Sequence, residues 1–331
     1  MTPLLLLSAL ACAPGAVDRV VVERVVDRAV RLPDVQLACT MGLALEAPLS
    51  AATPPRRPPE QALIVAETVG ALCGETEVRE AELEGLRARR LLGPLGEGRA
   101  ALAMDARLRE QRAHQRAAAR YGRAWDHTQA VYGNLRGACP DMDQDEEFVY
   151  LLGMFSGLMG LLHERRGEVS VRHIPDDTLS AISSGATCLN AERWWQVPTA
   201  MQVAVGAVIP GAGPDGVDPW DALEDAAGRG ARSGVRLSRA LQVLLAANAG
   251  REEEVEAGIR AHAQALTAYE PDRDWALLDA FAYEVSLHES DLIWTGASGH
   301  RTEVFGLLPS DPKPQGRGPD ADPFAADPFA P

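Results

Sequence analysis

Lysine is almost missing from this 331-residue chain: of 32 basic residues, only Lys313 is a lysine. That bias reads as genome composition, whereas the overall charge is informative. Acidic residues outnumber basic ones 47 to 32, giving a formal net charge of −15. A body that acidic repels phosphate backbones and anionic lipid, which argues against nucleic-acid binding and against a polybasic membrane contact. Long apolar runs are missing too. The most apolar stretch, Phe148 to Leu162, has 15 residues between Glu147 and His163, short of the roughly 20 that span a bilayer. No HExxH, GxSxG, Walker A or CxxC motif occurs, so the sequence assigns no reaction, no cofactor and no metal ligands, and the expectation is a protein that is not an enzyme.

Cysteines are few, five in all, and their placement bears on compartment. Residues 4 to 11, Leu-Leu-Leu-Leu-Ser-Ala-Leu-Ala, form an apolar run that ends in small residues directly before Cys12. This resembles a bacterial lipoprotein signal, with Cys12 as the lipidated mature N-terminus. Ala13, rather than Asp, after the cysteine favours the outer over the inner membrane. The expectation is a periplasm-facing protein that meets the membrane only through its lipid. Four cysteines are then left: Cys39, Cys73, Cys139 and Cys188. Four allow three pairings, of which chain neighbourhood favours Cys39 with Cys73 and Cys139 with Cys188; four buried thiols is the competing reading.

Helical periodicity runs from end to end. Ala118, Tyr121, Trp125, Thr128, Tyr132 and Leu135 fall at spacings of three and four, one stripe of an amphipathic helix. Leu237, Leu241 and Leu244 repeat the pattern before Gly250, and Val255, Ile259, His262, Leu266 and Tyr269 repeat it again. Leu278, Phe281, Val285 and His288 make a further stripe. Other helices are expected over 17–31, 35–47, 60–73, 76–92, 98–115, 144–165, 176–188, 192–207 and 219–229, although the valines at 17–31 would also suit a strand. These spacings predict an all-α fold, an antiparallel helix-hairpin array in the form of a solenoid or bundle. Its parts are a signal (1–12), an N-terminal helix or linker (13–34), a helical-repeat domain (35–305) and a disordered tail (306–331). The tail carries Asp-Pro-Phe-Ala twice, at 322 to 325 and 327 to 330.

Several motifs look chemical and fail on context. Gly211, Gly213 and Gly216 spell GxGxxG, yet Pro210 and Pro214 break the loop and no βαβ unit surrounds it. Asp141, Asp143 and Asp145 resemble the opening of a calcium loop but lack its sixth-position Gly and twelfth-position Glu; cap and first-turn charges explain them better. His262 and His288 lie on apolar stripes, with Glu284, Glu289 and Asp291 near the second; metal or acid-base work there is the minor reading beside satisfied core histidines. Gly153 and Gly157 form a GxxxG that, in a chain without a membrane span, lets a neighbouring helix come close. Only 17 aromatic residues exist. Tyr121, Trp125, Trp194 and Trp195 are therefore candidates for lining a groove between helix pairs. Trp194 and Trp195 are expected to open a helix, where neighbours point roughly 100° apart, so that one enters the core and the other faces a cleft.

With these residues in view, the chain resembles the T-component lipoproteins associated with TRAP transporters, the TatT family. The resemblance is carried by Leu-Pro-Asp-Val at 32 to 35, Leu45 and Glu46, Pro58 and Pro59 with the Ala-rich helix through Ala66, Ala-Ala-Arg-Tyr-Gly-Arg-Ala-Trp at 118 to 125, Asp145 to Leu162, and Trp194 to Gly216 before Trp220 to Ala227. It implies degenerate tetratricopeptide-like repeats and a non-enzymatic periplasmic lipoprotein. Such a protein would partner a solute-binding protein that feeds a transporter, as a homo-oligomer with the ligand passing along an internal groove. A generic envelope interaction scaffold without a solute is the alternative.

Overall fold

The computed structural model describes residues 18–52, 58–90, 97–168, 177–209 and 216–312. Cys12, His173, Gly211, Gly213 and the Asp-Pro-Phe-Ala repeats lie outside these residues. The described chain is all helical, and no strand occurs among the described residues. Eleven helices follow in order: α1, a π-helical turn at Val21–Val26 running on into Asp27–Ala29, then α2 (Val35–Ala52), α3 (Glu60–Arg90), α4 (Glu97–Tyr132), α5 (Gln144–Arg166), α6 (Thr178–Ala186), α7 (Val197–Val208), α8 (Pro219–Ala231), α9 (Leu237–Asn248), α10 (Glu252–Ala268) and α11 (Ala276–Ser298). The valine-rich start is thus helical, and Val21, Val22, Val26, Ala29 and Val30 are buried, so one face of this segment packs on the core. None of the described helices is long and apolar enough to cross a membrane.

Two expected breaks do not exist. Residues 60–73 and 76–90 are one helix, α3, because Gly74 is the sole weak former between them and its bare backbone packs against Ala117 at 3.5 Å from an ideal Cβ. Residues 98–115 and 117–132 likewise fuse into α4, since no Gly or Pro separates them; the helix ends at Tyr132, before Gly133 and Leu135. The helices therefore run from 9 to 36 residues rather than in equal repeats. The domain also extends past 305, where Leu308 is buried with Val243, Val255 and Ile259.

α5 is the centre. Every residue from Phe148 to Glu164 is buried, so the run has no solvent face and shows no amphipathic stripe. Its start is fixed by a capping box: the Asp143 side chain accepts from the Glu146 amide at 3.0 Å while the Glu146 carboxylate accepts from the Asp143 amide at 3.1 Å. The acidic triplet is thus a helix start. Gly153 and Gly157 face α4, where added Cβ atoms would lie 2.2 Å from Thr128 Oγ1 and 2.7 Å from the Trp125 ring. Disulfides join Cys39 to Cys73, tying α2 to α3, and Cys139 to Cys188, tying the segment after α4 to the one after α6.

Candidate aromatic cleft and buried histidine cluster

The two ends of α5 carry different chemistry. At its N-terminal end Phe148 meets two tryptophans, and a third packs on those. The Phe148 ring centroid lies 5.7 Å from Trp194 and 4.9 Å from Trp275, and Trp195 lies 4.9 Å from Trp275. Trp194 and Trp195 do not open a helix. They sit in the turn before α7, where Trp195 and Gln196 have φ of 50° and 62°, and the left-handed backbone turns both rings inward, to 1% and 4% exposure. The expectation that one of the pair faces a cleft from a helix is therefore corrected: helical geometry does not apply to a left-handed turn. Tyr121 and Trp125 are core residues as well, at 0% and 2% exposure, so the four candidates do not together line a groove.

One of them nevertheless borders a void. Trp194, Phe148 and Trp275 form the apolar wall of a cleft of about 240 Å³, completed by Val22, Val26 and Val30 of the N-terminal segment and by Asp27, Arg31, Gln144, Asp145 and Asp274. Arg31 pairs with Asp27 at 3.0 Å and also contacts Asp274. Two carboxylates thus hold one guanidinium, and a third, Asp145, lines the same cleft. Partial burial, then Asp143, Glu23 and Asp27, push the Asp145 carboxyl above its usual value, the mark of a local negative field. Behind this cleft lies an apolar void of about 50 Å³ that shares Val26, Val30 and Phe148 with it.

Toward the other end of α5 the core turns polar. His163 Nε2 donates to Glu75 Oε1 at 2.8 Å, and Tyr121 donates to the same oxygen at 2.9 Å while its ring stacks on His163. The Nδ1 atoms of His163 and His114 lie 3.0 Å apart. His114 Nε2 is 3.3 Å from Glu82 Oε1 without a hydrogen bond of proper geometry. Glu82 also meets His288 and, at 3.3 Å, Arg166, which grips Glu289 through both terminal nitrogens at 2.9 and 3.3 Å. Burial alone would raise Glu75, but His163, Arg79 and Tyr121 outweigh it and hold the carboxyl at about 2. Glu82 is likewise held well below the usual carboxylate range, with Arg166, His114 and His288 overcoming its burial. A void of about 30 Å³ opens among these groups.

His288 and Glu289, singled out in the sequence, reach this cluster, whereas Glu284 pairs with Arg79 and Asp291 accepts from the Thr302 amide. His262 is a core residue bonded to Ser286 at 2.8 Å and pushed down to about 3 by burial, Arg236 and Arg239. His114, His163, Glu75 and Glu82 were missed. Their partners are 32 to 206 residues apart, and the one local signal is the Glu110-to-His114 spacing of four, which places both on one helix face. The donor atoms of Glu82, Glu110 and His114 all lie within 4.8 Å of one another.

No protein-family model, curated protein or solved structure matches the chain.

Proposed function

We propose that this is an exported, lipid-anchored, non-enzymatic protein that handles a small ligand as partner of a TRAP-type solute-binding protein. The observation that carries the ligand reading is the cleft at Trp194, Phe148 and Trp275: lined by three aromatic rings and by three carboxylates against the single guanidinium of Arg31, it suits a small organic cation, which would meet aromatic rings and a net negative field together. Two disulfides support export, because disulfides persist in oxidising compartments. The apolar void behind the cleft would extend the ligand path inward.

Choline, titrated against tryptophan fluorescence, is the test. Saturable quenching in the wild type and its loss in Trp275→Ala support the reading; no quenching, or equal binding of acetate, contradicts it. Crosslinking in the host should recover a TRAP solute-binding protein, and recovery of unrelated envelope proteins alone would favour the scaffold reading. One feature favours that second reading: Leu102, Met104 and Leu108 are exposed along the first half of α4.

A further inference from the structure

We infer that Glu82, Glu110 and His114 form a binding site for a divalent transition-series cation, independent of the ligand cleft. The geometry of the cluster leads there. His163 Nε2 donates to Glu75 Oε1 at 2.8 Å, and its Nδ1 lies 3.0 Å from His114 Nδ1. His114 Nε2 is fully buried, has no hydrogen-bond partner, and faces the Glu82 carboxylate at 3.3 Å. A buried ring nitrogen without a partner, beside a buried carboxylate, is satisfied by a cation seated between them.

A single proton would need those two donors only, whereas the structure supplies a third. Glu110 on α4 is one helical turn before His114, and its carboxylate reaches in because residue 85 on α3 is glycine: an added Cβ would stand 2.4 Å from Glu110 Oε2. The 3.3 Å between His114 Nε2 and Glu82 Oε1 equals the donor spacing of roughly 3.3 Å in a tetrahedral site with bonds near 2.0 Å. One imidazole and two carboxylates suit a mid-series divalent ion such as zinc, whose charge the two carboxylates neutralise. The neighbouring guanidiniums are otherwise occupied: Arg166 is balanced by Glu289, while Arg89, at 3.2 Å from Glu110, is half exposed and free to swing outward. The His163–Glu75 pair behind His114 is the outer arrangement that fixes a ligating imidazole's tautomer. Three protein donors leave a fourth position for a water, and a void of about 30 Å³ borders two of them, Glu82 and His114.

Zinc titrated calorimetrically into chelator-treated full-length protein is expected to bind at one equivalent per chain, and cobalt in its place to give visible ligand-field bands. Glu110→Gln and Gly85→Ala, which leave the buried histidines intact, should each weaken zinc at least tenfold. His163→Gln, acting only through His114, should weaken it roughly 10- to 100-fold. His300→Ala, at the exposed His300–Glu303 pair, should change nothing. Absence of zinc binding, or wild-type affinity in both Glu110→Gln and Gly85→Ala, overturns the site.

Discussion

Phe148 and His163 stand 15 positions apart on α5, about 22 Å at 1.5 Å per residue, and the surroundings of the two could hardly differ more. Around Phe148 the core is made of stacked and edge-on rings, whose stabilisation scales with buried area and asks little of geometry. Around His163 it is made of carboxylates, imidazoles and guanidiniums, each of which is costly to bury alone and tolerable only because its partners are present. The comparison teaches that the apolar end is robust to rearrangement but sensitive to lost volume, whereas the polar end is sensitive to the loss of any one member and to pH.

The largest effects should come from one truncation at each end. Trp194→Ala is expected to cost about 3–5 kcal/mol through the lost volume of a buried ring, and Glu82→Ala about 3–5 kcal/mol by leaving the buried His288 without its carboxylate and Arg166 with Glu289 alone. Urea denaturation should give similar losses at neutral pH and different pH profiles. Glu75 sits at about 2 in the fold against an ordinary 4.5, and Glu82 is displaced the same way. Because the unfolded chain binds the proton first, wild-type stability should fall as pH drops from about 4.5 toward 2. Trp194→Ala should keep that slope and Glu82→Ala should lessen it to the part that Glu75 supplies.

Reduction of the two disulfides comes next, at roughly 3–4 kcal/mol each on the loop-entropy scale, read as a lower urea midpoint in reductant. Smaller still is Gly157→Ala, where the added methyl meets Trp125 at 2.7 Å; overpacking of this kind costs about 1–3 kcal/mol. Gly74→Ala is the contrasting case. Its Cβ would rest at 3.5 Å from Ala117, an ordinary contact, so the better helix former should raise stability by up to about 1 kcal/mol. His262→Phe sharpens the pH comparison from outside both regions. A buried neutral imidazole held at about 3 against 6.5 makes the fold lose stability as pH falls from 6.5 to 3, and the variant should remove that part of the profile.

The sequence made the apolar architecture legible and left the polar one hidden, for a physical reason. Spacings of three and four report which face of a helix is buried, and they located α10 and the first half of α11; α5 was located by its unbroken apolar run instead. The Asp143 cap and the two disulfides were readable because their determinants are local or follow from chain neighbourhood. Helix breaks at 74 and 116 were misplaced because tertiary packing carries a helix through weak residues. The Trp194–Trp195 turn was misread because left-handed backbone at Trp195 and Gln196 leaves no mark in composition. The histidine cluster was invisible because it is assembled from four helices, and a histidine on an apolar stripe looks the same whether or not a carboxylate waits across the interface. Of its members, only His288 and Glu289 stood out, by their crowd of acidic neighbours.

The separation of the two ends of α5 is tested most directly by one calorimetric experiment: zinc and choline titrated in turn into the wild type, Trp275→Ala and Gly85→Ala. The account predicts that each ligand binds the wild type whether or not the other is present, that Trp275→Ala loses choline and keeps zinc, and that Gly85→Ala weakens zinc and keeps choline. Loss of both ligands together in either variant, or binding of neither to the wild type, would contradict it.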